Sequence, residues 1–445
     1  MNKALPILLA AILTTFGPGA LGADLLAAYR DARDFDAQFA SAAASAEAGR
    51  EALPQGRAGL LPTIVATANN GRTQVDFRAH PPINMGADIK YHTSGWAVTL
   101  SQPLFRWDRI AGYRQGQARV AQTEAQFGLA RQDLILRVTQ AYFDVLQASE
   151  ALASAEASRK AITEQLDEAK RSFEVGTKTI VEVHDAQARY DLANAQEIVA
   201  RNDLAVKRQQ LRIFTGKDYE ALRDLKAGAT LPRPDPDNID RWAESAETGY
   251  YGVQAAQAGL EVADQEISRQ RAGHLPSLDA VATRGRASQT AALFAGNVGP
   301  GNDITSTTLG VQLTIPLFAG GAVSSAVDQA VALKNKASAD LDNARRSASL
   351  QARQAYLGVT AGLSQVKALE AALVSSQSAL ASNKLGFEVG VRTNIDVLNA
   401  QSQYYDTRQK LVKARLDTLL SLLRLKGAAG TLGEEDVQAI NALLN

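Results

Sequence analysis

The fragment Phe173-Glu174-Val175-Gly176 recurs 214 residues later as Phe387-Glu388-Val389-Gly390. Three further fragments recur at almost the same offset: Leu61-Pro62 as Leu275-Pro276, Pro103-Leu104-Phe105 as Pro316-Leu317-Phe318, and Gln140-Ala141-Tyr142 as Gln354-Ala355-Tyr356. Chance could supply one such match but not four in register, so the sequence predicts a tandem duplication. Its period is several times the roughly 20 to 50 residues of common repeat arrays, so each copy is a large unit.

Long stretches of both copies lack helix breakers. No proline occurs between Pro103 and Pro232, and none follows Pro316. Residues 106–174 are rich in good helix formers, and their apolar positions recur with helical spacing at Leu134, Val138, Ala141 and Val145. As one helix this stretch would be about 100 Å long, too long for one compact domain. The closing stretch has the spacing of a coiled-coil seam at Tyr405, Val412, Leu416, Leu419 and Leu423.

Ahead of each long helix, the sequence alternates in the manner of β-strands. In residues 308–317 apolar residues alternate with small or polar ones, and Trp96, Val98 and Leu100 do the same in the first copy. Weaker alternation marks partner strands at 62–72 and 276–286. We expect about ten residues per strand, the length of a tilted membrane strand. The polar stretches 73–92 and 287–304 are expected to be long loops.

Four strands are too few to close a membrane barrel, since the smallest single-chain barrels have about eight. The sequence therefore predicts an oligomer. Two copies would give about eight strands with a filled interior, whereas three would give about twelve strands and room for a channel. The alternative is a pair of short hairpins on a soluble coiled coil, which would leave sheet edges unpaired.

Composition narrows the function classes. Lys and Arg number 47 against 47 Asp and Glu, so no excess of basic charge indicates nucleic acid as a partner. Cysteine is absent, which excludes disulfides, thiolate zinc sites and catalytic thiols. The histidines show no helical i, i+4 pair; they are His80, His92, His184 and His274. With no phosphate-binding Gly-rich motif either, we expect no catalytic residues, no metal site and no cofactor.

Residues 1–22 have the pattern of a secretory signal. Lys3 precedes an apolar run from Ala4 to Phe16, and Ala20-Leu21-Gly22 has the small-x-small pattern of a cleavage site. A buried N-terminal helix is the alternative, but the run is short and ends in Gly17-Pro18-Gly19. Beyond it no stretch of about 18 apolar residues occurs, so we expect no membrane-spanning helix.

The order of these features resembles that of the TolC family of outer-membrane efflux and secretion ducts, over essentially the whole chain after residue 22. The motifs that carry the likeness are Gln102-Pro103-Leu104-Phe105, Gln140-Ala141-Tyr142-Phe143 and Phe173-Glu174-Val175-Gly176, in a duplicated arrangement. The resemblance implies a mostly α fold with a β-barrel portion. Four membrane strands per protomer would close as a twelve-stranded barrel in a homotrimer, continued by a long α-helical coiled-coil barrel in the periplasm.

The same resemblance implies the domain boundaries. After the signal peptide at 1–22, the first repeat spans 23–215, with a hairpin at about 60–105 and long helices over about 106–215. A linker or equatorial segment follows at 216–241. The second repeat spans 242–426, with its hairpin at about 274–318 and long helices over about 319–426. A C-terminal equatorial segment is expected at 427–445.

Function and partners follow from the same resemblance. It implies a passive outer-membrane channel-tunnel, lying in outer-membrane lipid and projecting into the periplasm. Such channels work with a periplasmic adaptor (membrane fusion) protein and an inner-membrane transporter of ABC or RND type, in multidrug efflux or type I protein secretion. The alternative is a periplasmic coiled-coil adaptor or structural tether that does not span the outer membrane.

Candidate site residues cluster after the two Val-Gly turns. Asp396 matches a constriction aspartate of the family, and Glu182 and Asp185 hold the two acidic positions in the first repeat, where the second has Asn399. In three copies of the chain around one axis, these carboxylates would form a ring and focus a negative field that favours cations. The simpler interpretation is a solvated helix N-terminus stabilised by the helix dipole.

The resemblance assigns three further sets of residues. Arg392 would be a latch that holds the entrance shut, with Glu182 as its proposed partner. Gly176 and Gly390 would mark the turns where the adaptor docks. An aromatic girdle at the membrane interface is expected from Tyr91, Trp96, Phe105, Trp107, Phe294 and Phe318.

Overall fold

A computed structural model describes residues 23–78, 81–82, 86–177, 179–226, 228–294 and 297–445. The predicted signal peptide, 1–22, lies outside these residues. The chain forms two compact units. The helical unit contains residues 23–40, Arg131–Trp242 and Gln351–Asn445, and the sheet unit contains Ser41–Ala130 and Ala243–Leu350.

Long helices and one sheet make up the described residues. The elements, in chain order, are α1 (Leu25–Phe35), α2 (Ala37–Arg50), α3 (Ala52–Ala58), β1 (Thr63–Arg78), β2 (Gly86–Phe105), α4 (Trp107–Glu174), α5 (Ile180–Thr215), α6 (Ile239–Gly249), α7 (Tyr251–Arg271), β3 (Ser277–Phe294), β4 (Asn297–Thr314), α8 (Ala322–Glu388), α9 (Asn394–Ala428) and α10 (Glu434–Asn441).

The four strands form one antiparallel sheet in the order β1-β2-β3-β4. The β1–β2 ladder runs without interruption from the pair Thr63–Ser101 to the pair Arg78–Gly86. The β2–β3 ladder has one irregularity, between Pro103 and Phe105. Within the chain, β1 and β4 each have one neighbour, so both are edge strands.

The strands are longer than the sequence analysis predicted. They contain 16, 20, 18 and 18 residues instead of about ten. Much of the expected loops at 73–92 and 287–304 is strand, because β-favouring residues such as Thr73, Val75 and Tyr91 continue the ladders. At its other end β4 stops at Thr314, before the predicted 317, since Pro316 has no N–H to donate to a ladder.

The long helices pack through coiled-coil seams. α4 and α8 contain 68 and 67 residues. The four predicted apolar positions of α4, from Leu134 to Val145, are all buried, as are Leu416, Leu419 and Leu423 of α9. Buried residues also recur every seven positions along α4; they are Ala111, Ala118, Ala125, Gln132, Thr139 and Leu146. A strict seven-residue repeat imposes a left-handed supercoil.

One helix departs from the expectation that no helix is apolar enough to cross a membrane. α8 contains an 18-residue window with a mean hydropathy of 1.2, of which 11% is buried. The helix is roughly three times the length needed to span a bilayer. Leu363, Val366 and Leu369 of α8 pack on the core of the helical unit. Length and composition alone are therefore weak evidence for a span.

The core of the helical unit joins both repeats. It is built on α1, α4, α9 and α10, with Tyr142, Phe143 and Leu423 fully buried. The Tyr142 hydroxyl lies 3.0 Å from the carbonyl oxygens of both Ala23 and Arg223. Burial raises the pKa of this hydroxyl, so it remains a donor.

The duplicated tyrosines fix the two ends of the segment between the repeats. Tyr142 reaches Arg223, and its counterpart Tyr356 donates to Asp237 at 2.5 Å. The same segment pairs with the C-terminus through an antiparallel bridge between Leu225 and Leu444. Residues 216–241 are thus held by both copies of one motif.

Candidate functional site

The register divides the sheet into two faces. Side chains alternate along each strand, so residues directly opposite one another share a face. The Trp96 face is defined by Trp96, Val98, Leu309, Val311 and Leu313. These side chains are between 38% and 84% exposed. An apolar face that no part of its own unit covers suits contact with lipid.

The Thr99 face is defined by Thr99, Ser101, Thr283, Thr308 and Gln312. Most side chains on this face are small or polar, with apolar exceptions such as Val65 and Val281, and the hydroxyls of Thr99 and Thr283 lie 3.1 Å apart. A polar face opposite an apolar one is the pattern of a barrel whose interior holds water.

Charge is segregated between the two faces. Of the charged residues on the four described strands, only Asp279 lies on the Thr99 face, where Arg106 binds it with its closest contact at 2.8 Å. The others lie on the Trp96 face, from the middle of the sheet to its hairpin end. Five are basic, Arg72, Arg78, Lys90, Arg284 and Arg286, and three are acidic, Asp76, Asp88 and Asp303.

Three residues of the expected aromatic girdle lie at or near the apolar face. Trp96 is 47% exposed, and Phe105 shares its face because it pairs with Leu278 beyond the ladder irregularity. Phe318 follows β4 and is almost fully exposed.

The other three girdle residues have different positions. Tyr91 lies on the Thr99 face and is half-buried, so it does not share a face with Trp96. Trp107 is the first residue of α4, and the Arg114 guanidinium stacks over its ring at 5.8 Å. Phe294 is the last residue of β3.

The two Val-Gly turns have the same helix-ending geometry. Gly176 and Gly390 have φ values of 75° and 77°, a left-handed conformation that glycine adopts without steric cost. In each turn the following N–H donates back to the helix: Thr177 to Ser172 at 2.9 Å, and Val391 to Gly386 at 2.8 Å. These are Schellman bonds, which satisfy carbonyl groups at a helix C-terminus.

Asp396 is held in a capping box at the start of α9. Its Oδ2 accepts from the Thr393 N–H at 2.9 Å and from the Thr393 hydroxyl at 2.8 Å, while Thr393 Oγ1 accepts from the Asp396 N–H. The bonds from Thr393, with a smaller effect of the Arg392 charge, lower the pKa of Asp396. The carboxylate therefore stays ionised well into acid conditions, and both of its bonds use one oxygen.

The first-repeat turn places its acidic residues differently. Glu182 occupies the same third position of α5, but its N-cap Thr179 makes no side-chain cap. Asp185 accepts from Arg189 Nε at 3.0 Å, one turn further along α5. All of these residues belong to the helical unit. Within the described parts of the chain, no hydrogen bond or ion pair joins Asp396 to Asp185.

The side chain of Arg392 packs beside Gly386, a residue that the sequence analysis did not single out. A Cβ at Gly386 would come within 2.7 Å of Arg392 Cγ, so the absence of a side chain there makes room for the arginine stem. Ser172 stands at the matching position of the first repeat. Thr393 was also missed, although a Thr three residues before an acidic residue is a capping-box signal.

The long helices form a layer with two open edges. Within the helical unit, Lys207 of α5 pairs with Asp144 of α4 at 3.4 Å. Glu150 of α4 pairs with Arg408 of α9 at 2.7 Å, and Arg415 of α9 pairs with Glu370 of α8 at 2.6 Å. The order is therefore α5-α4-α9-α8. The outer helices carry exposed apolar residues: Leu192, Val199, Val206 and Ile213 recur every seven residues on α5, and Leu357, Val374 and Leu385 lie 17 and 11 residues apart on α8, which fits alternating a and d positions of a heptad.

Nothing in the described ranges resembles a metal centre, since no group of three or more His, Asp or Glu side chains is placed to hold an ion. The histidines that the structure describes lie in different elements. His92 is on β2, His184 on α5 and His274 just before β3.

Known proteins share this architecture. The chain is 34% identical over 444 residues to the outer membrane protein TolC of Vibrio cholerae, covering 99% of this chain and 98% of that relative. It is 30% identical over 446 residues to the alkaline protease secretion protein AprF of Pseudomonas aeruginosa, covering 99% and 92%. Among solved structures, the CmeC outer membrane channel of Campylobacter jejuni superposes with a TM-score of 0.77 at 16% identity, covering 100% of this chain and 98% of that one.

Family membership rests on the whole chain. The family model described as outer membrane efflux protein matches residues 28–217 and again 245–431, one match per repeat. The resemblance inferred from the duplicated motifs is thereby confirmed. The chain belongs to the family of outer membrane efflux proteins.

Proposed function

We propose that three copies of this chain assemble into one passive duct. The protein is an outer-membrane channel for efflux or type I secretion, with its helices in the periplasm. In the proposed trimer, twelve strands would close a barrel with the Thr99 face inside and the Trp96 face against lipid. A periplasmic adaptor or tether outside the membrane is not favoured, since the relatives and solved neighbours are outer-membrane channels.

The unpaired edges carry the proposal. β1 and β4 each have one open side, and a sheet edge in a membrane must be paired. The helical unit has the matching feature, because α5 and α8 both end the layer with an exposed apolar stripe. Joining α5 of one copy to α8 of the next is a head-to-tail contact, and a rotation that closes such contacts makes a ring.

Assembly can be tested on the α5 stripe. Val199→Lys places a charge on the stripe, and we expect the trimer to dissociate in detergent. Ala205→Lys is the matched control, because it adds the same charge at an exposed α5 position about 100° around the helix from Val206. The masses would be measured by light scattering. A Val199→Lys protein that remains as trimeric as the control would refute the contact between copies.

We propose further that carboxylates near the helix turns form an acidic entrance. Asp396 Oδ1 accepts no hydrogen bond among the described residues, so it remains available to a cation. The depressed pKa keeps its charge in place. Arg392, supported over Gly386, is the proposed latch, with Glu182 as its partner. Three copies around one axis would attract cations and bind divalent ions.

Energy for transport must come from partners in this scheme. A periplasmic adaptor and an inner-membrane transporter, of ABC or RND type, are the proposed partners. Their docking point would be the exposed turns at Gly176 and Gly390, where Val175 and Val389 are 73% and 66% exposed. The name of AprF refers to secretion of an alkaline protease, which makes a secreted protein one candidate cargo.

Planar-bilayer conductance tests duct and entrance together. We expect wild-type trimers to form small cation-selective pores that divalent cations block. The combined Asp396→Ala, Glu182→Ala and Asp185→Ala variant should lose the block. A control with three exposed carboxylates of the sheet unit removed, Glu244→Ala, Glu247→Ala and Asp342→Ala, should keep it. Failure to form pores would refute the duct, and block that survives in the first variant would refute the acidic entrance.

A further inference from the structure

The charged band of the Trp96 face lies directly beyond its apolar band. Six residues separate Leu278 from Arg284 on β3, which is about 20 Å along the strand. Apolar side chains predominate over that interval on the neighbouring strands, up to Val98 and Trp96, with Gln102 as a polar exception. Arg284 is opposite Val98, and Arg286 is opposite Trp96. Arg284 and Arg286 are therefore level with the last apolar residues, whereas Arg72 and Lys90 lie two and three rows of this face further out than Trp96.

The charged band begins midway along the sheet, at Arg284 and Arg286, and continues to its outer end, where Arg72, Lys90 and Arg78 lie. The other end joins the helices, because α4 begins two residues after β2 and α8 follows β4. The two hairpin connections, β1 to β2 and β3 to β4, are at the charged end. With the helices in the periplasm, this end faces the cell exterior, so the band meets the headgroups of the outer leaflet.

The cations of the band outnumber their partners. Arg286 pairs with Asp303 at 2.7 Å, and Arg78 pairs with Asp76 at 3.2 Å. The third acidic residue, Asp88, accepts from the amide of Gln74. Among the residues that the structure describes, Arg72, Lys90 and Arg284 have no acidic partner and are exposed. Each chain thus presents three cations without an ion-pair partner, and five basic against three acidic residues leave the band a net charge of +2.

Their arrangement suits phosphate groups. Arg72 is directly opposite His92, with Lys90 two residues further on the same face. Same-face neighbours along a strand are about 7 Å apart. Arg284 and Arg286 have that spacing on β3. An arginine binds two phosphate oxygens at once, and basic side chains beside an apolar band can keep their stems in lipid while the charge remains at the headgroups.

We propose that Arg72, Lys90 and Arg284 bind the phosphate groups of phosphorylated glycolipid in the outer leaflet. The apolar band below them would contact the acyl chains of the same molecules. The occupant is assigned by charge complementarity and by continuity with the lipid-facing band. The Thr99 face carries no charge at this height, so the attraction is directed outward.

Binding of bis-phosphorylated lipid A to full-length protein in detergent tests the proposal, with the dephosphorylated lipid as a comparison. The variant Arg72→Gln, Lys90→Gln, Arg284→Gln should lose affinity for the phosphorylated lipid on the order of a hundredfold, at about fivefold per cation. Two controls should stay within about threefold of wild type. Arg72→Lys with Arg284→Lys keeps the charge, and Arg78→Gln with Asp76→Asn removes a compensated pair.

Two results would overturn the assignment. One is wild-type protein that binds both lipids equally, and the other is a glutamine variant that binds as wild type does. The three positions are exposed, so the substitutions remove no buried contact, and planar-bilayer conductance of the variant checks that it is folded. Because conductance should be unchanged, loss of lipid binding is distinguishable from failure of the duct itself.

Discussion

A buried carboxylate distinguishes the α4–α5 hairpin from its duplicate. The Glu197 side chain is 6% exposed between the two helices and contacts Arg159 of α4. Arg201, one turn further along α5, also bonds Glu197 at 2.5 Å. With the offset of 214, the second repeat has Leu373 and Leu411 at the positions of Arg159 and Glu197, and both belong to the apolar core. The second repeat therefore shows which apolar pair the same backbone accepts.

The expected stabilities follow from what each substitution leaves behind. Arg159→Leu removes one of two cations from a carboxylate that is 6% exposed, and should cost about 2 kcal/mol, less than the 3 to 5 of a fully abandoned buried charge because Arg201 remains. Glu197→Leu leaves two arginines that are 37% and 63% exposed and reach water, and should cost about 1 kcal/mol. The double variant should be neutral or more stable by about 1 kcal/mol, since it buries apolar surface without desolvating charge.

Hydrogen exchange measured by mass spectrometry reports the local stability around Glu197, on peptides covering 193–204 of intact trimers. We expect each single variant to exchange faster and the double variant to return to the wild-type rate or below it. Peptides covering 407–418, the matching part of the second repeat, are the internal control and should not change. A double variant that exchanges faster than both single variants would show that the two side chains act independently, and the reasoning would be refuted.

Three other outcomes are expected. Thr393→Val should speed hydrogen exchange of the backbone amides in the first turn of α9 by about fivefold, because the capping bonds are lost. Thr179→Val should change exchange in α5 very little, because that threonine makes no side-chain cap. Equal effects of the two substitutions would contradict the cap. Hydrogen bonds from Arg269, Gln270 and Gln115 lower the pKa of Glu266 from 4.5 to about 2. The ionised carboxylate therefore contributes on the order of 1 to 2 kcal/mol to the free energy of unfolding after solvent screening, and this contribution is complete above about pH 4.5 and lost as pH falls toward 2. In Glu266→Gln the free energy of unfolding should fall less steeply with acid, and an unchanged slope would exclude this carboxylate as the cause. Gly390→Ala should lower the free energy of unfolding by about 1 kcal/mol, because the φ of this glycine is 77°. Gly112→Ala should raise it, because Gly112 lies in a helix and no atom is near the added Cβ. A Gly390→Ala variant as stable as wild type would refute the conformational argument for that turn.

The sequence predicted the architecture because the evidence for it is periodic and repeated. Four matching fragments defined the duplication, and the spacing of apolar residues located the coiled-coil seams around Leu134 and Leu416. Strand length was wrong because Thr73 to His92 was judged by polarity. A strand whose exposed face meets water and headgroups carries polar residues at every second position, as Arg72, Gln74, Asp76 and Arg78 do.

The site residues were harder to derive. Asp396 was singled out by the family resemblance, and Thr393 three positions earlier could have identified its capping box from the residues alone. The burial of Glu197 had no such signal. It depends on how α4 and α5 align, and a glutamate on a helix is usually exposed. Gly386 could not be recognised either, because its function is to leave space for a side chain six residues away.

Net charge also needs to be interpreted locally. Equal numbers of acidic and basic residues argued against nucleic acid, and the argument holds because a nucleic acid needs an extended basic track. The same zero total conceals the Trp96 face, where five cations lie among three carboxylates between the middle of the sheet and its hairpin end. Exposed charges act over about 10 Å at ordinary ionic strength, so a headgroup responds to its nearest residues and not to the sum over the chain. A balanced composition is therefore compatible with a strongly selective lipid surface, provided that the charges are sorted by face, and the two-residue period of a β-strand is what sorts them.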